Sequence, residues 1–403
     1  MKTFSEFRMP KAVYYGTNSL NQLGEHAAAL GKKALIVSDR VMEKIGHVKS
    51  CQQLLNQNNI PYIEFLDVNS EPTDVHVAEA LELCLREQCE VIVAIGGGSC
   101  IDAAKAVAVL ATNGGYIGDY MGGKTPIEKD PLPLIAIPTT AGTGSEVTNV
   151  TVITNTKDDI KMMIKHPAFL PCVAIVDPTL TISTPPHVTA ATGVDALCHA
   201  IEAYISRKSQ PLTDNMALSA IESIVNYLRR AYENGEDLEA REKMAIASMQ
   251  AGLAFSNASV TLVHGMSRPI GALFHVPHGV SNAMLLPAVL EFTKESAIDS
   301  LAEVGRIICP GLEAVTNEEL ADAAIREIKK LCRDLQIPNM KAWGLDEDRF
   351  GQVVDKMAVD ALASGSPGNN PRVPTHEEIV DLYHRCFSYD FSAGAATLSI
   401  NNQ

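Results

Sequence analysis

Between about residue 11 and residue 185, short apolar runs alternate with longer stretches of mixed character. KALIVSD, IPYIEFLD and VIVAIGGG are rich in β-branched and aliphatic residues. Stretches between them, such as VHVAEALELCLREQ, repeat apolar positions every three or four residues. Short unbroken apolar strands, each followed by a helix, predict a parallel sheet covered on both faces. The expected architecture of this half is a doubly wound α/β domain.

The period changes after PTLTISTPPHVT. In TDNMALSAIESIVNYLRRAY, LEAREKMAIASMQAGLAF and NEELADAAIREIKKLCRDL the apolar spacing is helical throughout, with charges on the opposite face. Strand-like alternation almost disappears, so the second half is expected to be all-α. The pair Pro185-Pro186 marks the junction, because proline removes a backbone donor and restricts the residue before it. The expected domains are residues 1–185 and 186–403. The tail SAGAATLSINNQ is small and uncharged and reads as frayed or non-native.

Length agrees with two domains, since 403 residues exceed the size at which single cores stop growing. A net charge of -15 argues against a nucleic-acid binder, which must neutralise phosphates with lysine and arginine. Small ligands or protein partners are expected instead. Apolar runs such as LPLIAI are too short for a bilayer, and MKTFSEFRMP carries Lys2, Glu6 and Arg8 where a secretory signal needs an apolar core. The nine cysteines form no CxxC pair and read as reduced, buried thiols. The expectation is a cytoplasmic protein with no membrane partner.

Candidate chemistry lies in two glycine-rich loops. VIVAIGGGSCIDAAKAVAV places Gly96, Gly97 and Gly98 after a strand and before a helix. Backbone there approaches a ligand unobstructed, and the helix start offers N–H groups to a pyrophosphate. The spacing GGGSxxDxxK is not GxGxxG, so a plain tight turn stays open as an alternative. PLIAIPTTAGTGSEVT adds the hydroxyls of Thr139, Thr140, Thr143 and Ser145 to Gly142 and Gly144, groups suited to a nucleotide. Asp39 ends ALIVSD, where it either caps the next helix or accepts ribose hydroxyls; the second role favours NAD over NADP.

A metal site is indicated in the second half. Asp195 and His199 in TAATGVDALCHAIEAYI are four apart and share a helix face. His264 sits in a helical segment, and His278 follows Pro277 at a helix start. One carboxylate with three imidazoles suits Fe(II) or Zn(II).

With GGGSCIDAAKA, PTTAGTGSEVT, DALCHAIEAY, LVHGM and PHGVSNAMLLP in place, the chain resembles the iron-dependent (group III) alcohol dehydrogenases over residues 5 to 388. The resemblance implies an N-terminal Rossmann-like NAD-binding domain and a C-terminal helical domain, the architecture of dehydroquinate synthase. It implies metal ligation by Asp195, His199, His264 and His278. Implied cofactor contacts are Asp39, Gly97, Gly98, Ser99, Asp102, Thr139, Thr140, Thr143, Lys161 and Leu180. The implied reaction is reversible oxidation of a small primary alcohol or diol to the aldehyde with NAD and Fe2+, with Zn2+ as the alternative metal. A glycerol-dehydrogenase-like polyol enzyme, a dehydroquinate-synthase-like lyase and a non-catalytic NAD-binding scaffold are the competing readings. Relatives are commonly dimers or larger, so a homo-oligomer is expected.

Two positions depart from the family pattern. Arg268 stands where many members carry a histidine, and a guanidinium does not act as an ordinary base. His275 stands where asparagine is common, and either relays a proton or donates a hydrogen bond beside the metal. These two are the candidate catalytic residues.

Overall fold

The computed structural model describes residues 4–69, 71–312 and 316–392. Apart from Ser392, the tail SAGAATLSINNQ therefore lies outside the described residues. Six strands form one parallel sheet: β1 Ala12–Tyr15, β2 Ala34–Val37, β3 Tyr62–Phe65, β4 Val91–Gly96, β5 Leu134–Pro138 and, after the β6–β7 hairpin described below, β8 Val173–Val176. Their order is β1-β8-β5-β4-β2-β3, and every pairing is parallel.

Alternation along the buried strands divides their side chains between two cores. Leu35, Val37, Ile92 and Ala94 join one, while Ala34, Ile36, Val91, Val93 and Ile95 join the other. Helices α1 Leu23–Leu30, α2 Arg40–Lys44 and α3 His47–Gln57 precede α4 Asp74–Arg86 and α5 Gly98–Asn113. Val48, Cys51 and Leu55 of α3 cover one face, and α4 and α5 cover the other. The change of face falls between β2 and β4, so a crevice opens at their carboxyl ends, where open α/β sheets bind ligands.

The sequence reading did not identify the antiparallel hairpin of β6 Val150–Asn155 and β7 Ile160–Lys165. Its signal is present: the inward residues Met162 and Ile164 alternate with more exposed neighbours, as in a half-buried strand.

From Pro186 onward the described elements are helical. Helix α6 Pro186–Ile205 starts on the proline pair and is followed by α7 Pro211–Glu233, α8 Leu238–Asn257, α9 Leu262–Phe274 and α10 His278–Thr293. These helices and those that follow share one large core. The two halves touch closely at Gly144, held at φ +60, where an added Cβ would lie 2.6 Å from Gly252 Cα of α8. Glycine meets both needs there, the left-handed conformation and the backbone contact. Among the described residues, no single helix is long and apolar enough to cross a membrane.

Candidate metal and dinucleotide site

Helix α5 begins at Gly98 after an N-cap, Gly97, that supplies no side-chain acceptor, so its first backbone amides keep free donors. The second loop faces them. The Thr139 amide donates to the Gly96 carbonyl at 3.0 Å, lacing the two loops together. A Cβ on Gly98 would lie 2.8 Å from Thr143 Cγ2, whereas one on Gly97 would meet nothing nearer than Thr140 Oγ1 at 3.7 Å. Ser99 lies in the first turn of α5. Gly97, Gly98, Thr140 and Thr143 therefore lie together at the start of α5.

Asp39 takes the first of the two roles read from the sequence, the helix cap. Its Oδ1 accepts from the amides of Val41 and Met42, capping α2. Its Oδ2 faces Cys100 Sγ at 3.6 Å and lies 3.7 Å from an ideal Cβ on Gly96. One carboxylate oxygen therefore remains turned toward the glycine loop.

Other predicted contacts are engaged by the protein. Asp102 accepts from Ser145 Oγ at 2.5 Å and the Val152 amide at 2.9 Å. Buried Lys105 donates to Ser145 Oγ, Thr148 Oγ1 and the Val150 carbonyl, so this part of the motif ties α5 to the second loop and to β6. Lys161 pairs with Glu71 at 2.5 Å. Leu180 is buried, and its carbonyl accepts from His47 Nε2 at 3.2 Å.

In the helical half, four ligand atoms, one each from Asp195, His199, His264 and His278, lie within 4.8 Å of one another. Helix α6 presents the first two, α9 the third, and the first turn of α10 the fourth. The cluster lies against the second loop, because His199 Nδ1 is 3.3 Å from the Gly142 carbonyl oxygen. Burial pulls His199 down to about 4, so it is neutral and has a lone pair for a cation at neutral pH. Burial also holds His278 low. For Asp195 burial acts upward, but the imidazoles of His199, His278 and His264 outweigh it and keep the carboxylate ionised.

Two members of the site escaped the sequence reading. Glu202 is fully buried on α6 and accepts from Thr261 Oγ1 at 2.8 Å and the Val263 amide at 2.7 Å. Its other oxygen takes a hydrogen bond from His264 Nδ1, which leaves His264 Nε2 toward the cluster. The spacing Asp195, His199, Glu202 is i, i+4, i+7, one stripe along an apolar helix, and that was the available signal.

Asn282, one turn after His278, is the second. Its Nδ2 lies 2.6 Å from Asp195 Oδ1, 3.0 Å from His264 Nε2 and 3.2 Å from His278 Nε2. Its Oδ1 is buried without a hydrogen-bond partner. Three acceptors thus converge on a point filled by an amide whose other end is unsatisfied, and a cation suits that donor set better. The residues fit a divalent metal.

Arg268 and His275 do not join the four-atom cluster. Arg268 lies one turn beyond His264 on α9 and donates to Ser366 Oγ and Met163 Sδ, both at 3.1 Å. His275 is exposed and caps α9 in the left-handed region at φ 55.

Residues 10–178 match the family model described as iron-containing alcohol dehydrogenase, and residues 189–387 match that of the C-terminal part of the same family. Choline dehydrogenase of Bacillus subtilis (strain 168) is 37% identical, with 96% of each chain covered. The NAD-dependent methanol dehydrogenase of Bacillus methanolicus is 35% identical over 94% of this chain and 98% of its own. A crystal structure of 1,3-propanediol oxidoreductase superposes with a TM-score of 0.91 at 37% identity, covering 95% of this chain and all of the other.

Proposed function

The chain belongs to the iron-containing alcohol dehydrogenase family, and from that premise we propose that Asp195, His199, His264 and His278 hold its divalent metal at the end of an NAD cleft. It is an NAD-dependent alcohol dehydrogenase, an oxidoreductase acting on alcohols or diols and their aldehydes. The carrying observation is the convergence of the four ligand atoms within 4.8 Å, with His199 directly against Gly142 of the glycine-rich loop. The α/β half to residue 185 is the NAD-binding domain and the helical half from residue 186 is the metal-binding domain in this reading.

When bound, the metal supplies Lewis acidity toward the alcohol oxygen, and NAD accepts the hydride. The chain's own residues do the rest. The amides at the start of α5 hold the pyrophosphate, with Gly97, Gly98, Ser99, Thr139, Thr140 and Thr143 around it. Asp39 Oδ2 accepts from ribose hydroxyls and repels a 2′-phosphate. Glu202 fixes the His264 tautomer, and the Gly142 carbonyl orients His199. Asp102, Lys161 and Leu180 support the cofactor site through the partners they hold. Arg268 lines the substrate seat beside His264, and His275, exposed at the end of α9, exchanges the released proton with solvent.

Substrates are small primary alcohols or diols, in line with the printed activities of the relatives. The nine unpaired cysteines support a reducing, cytoplasmic setting. The edge strand β1, with exposed Tyr15 and the exposed Phe4 and Met9 before it, supports assembly into a dimer or larger homo-oligomer. The test adds NAD, a panel of short alcohols and either ferrous ion or zinc to metal-free protein, and follows reduced nicotinamide. Metal-dependent reduction is expected, and its absence with every alcohol and both metals overturns the reading.

A further inference from the structure

The linker between the two halves is exposed at Pro185 and Pro186, and neither proline has an amide to donate. Carbonyls and side chains must therefore fix this segment. Arg241, in the first turn of α8 and only 4% exposed, reaches it from the helical half. Its Nη2 donates to the Thr184 carbonyl oxygen at 3.2 Å, and its Nη1 to Thr189 Oγ1, in the first turn of α6, at 2.9 Å. Its Nε donates to the Gly235 carbonyl oxygen, in the turn between α7 and α8, at 2.9 Å. Gly235 leaves the room, since a Cβ there would lie 2.9 Å from Arg241 Nη2.

Every one of these acceptors is neutral, and burial lowers the pKa of the guanidinium with no charged neighbour acting on it. A buried arginine is ordinarily paired with a carboxylate. Here three uncharged oxygens from three segments take that place, so the planar fork brackets the linker to the starts of α6 and α8.

The bracket continues into the α/β half. Thr184 accepts from Arg241 through its carbonyl, while its hydroxyl donates to the Thr139 carbonyl oxygen at 3.2 Å. The Thr139 amide in turn donates to the Gly96 carbonyl oxygen at 3.0 Å. Thr139 follows β5 and opens the second glycine-rich loop, and Gly96 ends β4 and opens the first. An unbroken run of hydrogen bonds thus leads from a guanidinium in the helical half, through one linker residue, to both loops. None of Asp195, His199, His264 and His278 belongs to that run.

Resting on the dehydrogenase reading above, we propose that Arg241 is a positioning residue for the dinucleotide, holding both glycine-rich loops at one setting against the helical half through Thr184 and Thr139. Without the bracket, part of the binding energy of NAD goes into ordering the loops, and NAD affinity falls while metal affinity does not.

The experiment follows NADH binding to the zinc-loaded protein by nicotinamide fluorescence, and zinc affinity by chelator competition. It compares the parent with Arg241→Met, Arg241→Lys, Thr184→Val and the double variant Arg241→Met with Thr184→Val. Arg241→Met keeps the apolar stem and removes the donors. Thr184→Val removes only the hydroxyl that reaches Thr139, and it decides the matter by itself where Arg241→Met does not fold. The NADH dissociation constant should rise by about 10-fold in Arg241→Met and in Thr184→Val, the upper scale of one lost hydrogen bond, and by less in Arg241→Lys. The double variant should lose no more than the weaker-binding single variant, because both act along one path. Zinc affinity should stay within about 2-fold of the parent, as for sites that share no partner. A merely structural arginine lowers the thermal midpoint and leaves the NADH constant of the folded protein unchanged. An unchanged NADH constant in Thr184→Val, equal losses of NADH and zinc, or losses that multiply in the double variant overturn the proposal and leave the dehydrogenase reading intact. If the parent itself binds no NADH, the dehydrogenase reading fails and the proposal with it.

Discussion

His199 Nδ1 stands 3.3 Å from the carbonyl oxygen of Gly142, so a side chain of the candidate metal cluster is oriented by the backbone of the second glycine-rich loop. The N–H must reside on Nδ1 for that bond, which leaves Nε2 with the lone pair a metal needs. The loop is held close because Gly142 carries no side chain. A Cβ there would lie 2.5 Å from Thr192 Cβ and 2.8 Å from the Thr192 carbonyl. Gly142→Ala should therefore push the loop from α6 and weaken metal and NAD together, each by about 10-fold or more. Metal retention after dialysis and NAD titration by fluorescence check this, and loss of only one ligand would contradict the linkage.

Glu202 is the buried carboxylate behind His264, and its first oxygen accepts from Thr261 Oγ1 and the Val263 amide. Glu202→Gln keeps the shape but removes the charge facing His264 Nδ1. Metal affinity measured by chelator competition should fall by about 10- to 100-fold, the usual cost of losing a partner behind a ligand. Unaltered affinity would show that Glu202 serves only to cap α9.

The broad architecture was legible because period and punctuation agreed. Unbroken apolar strands gave the parallel sheet, and the proline pair at Pro185 and Pro186 stands where α6 begins. The β6–β7 hairpin was not read, since its short alternation lies within a half dominated by buried parallel strands. At the candidate site, the motif residues drew attention to ligand-type side chains and away from those that hold them. Glu202 and Asn282 are ordinary residues by type, and their importance comes from helix packing that brings α6, α9 and α10 to one point. Asp102 and Lys105 show the reverse case, motif residues whose polar atoms are engaged by Ser145, Thr148 and the β6 backbone.

Asn282 bridges Asp195, His264 and His278 through one amide nitrogen while its oxygen is buried without a partner. That nitrogen holds three acceptors together in the metal-free protein. Asn282→Ala should lower the thermal midpoint of metal-free protein by a few degrees, about 1 to 3 kcal/mol for acceptors left unsatisfied. Saturating zinc should then raise the midpoint more in the variant than in the parent. Scanning calorimetry with and without zinc reads both values, and an equal zinc shift in the two proteins would exclude the bridging role.

Glu146, almost fully buried beside the Lys105 network, has its carboxyl pushed up to about 7 by burial, against the partial relief of its own backbone amide and of Lys105. Its folded value lies above the usual value of 4.5, so the folded state favours the protonated acid. That stabilisation is complete below pH 4.5 and is lost as pH rises through 7, because ionising the buried carboxyl becomes costly. Glu146→Gln keeps a neutral side chain at all pH values. Its thermal midpoint relative to the parent should therefore rise between pH 5 and pH 8, by an amount equivalent to about 1 to 3 kcal/mol. A difference that stays flat across that range would place the carboxylate in contact with solvent or a firmer counter-charge.

Gly97 separates a ligand cradle from a packing glycine more cleanly than its neighbours do. A Cβ on Gly98 would meet Thr143 Cγ2 at 2.8 Å, so Gly98→Ala disturbs the fold whatever binds there. Gly97 sits at φ -71 in extended backbone, and its nearest obstacle is Thr140 Oγ1 at 3.7 Å, an ordinary contact. Gly97→Ala should therefore leave the thermal midpoint of the NAD-free protein within about 0.5 kcal/mol of the parent, the usual range for an unstrained surface change. The added methyl stands where a pyrophosphate would approach the uncapped amides of α5, and NAD affinity should fall by about 10-fold or more. Isothermal titration with NAD, paired with calorimetric unfolding, makes the comparison. Retained affinity with unchanged stability would move the pyrophosphate away from this helix start and leave the glycine triplet as a turn.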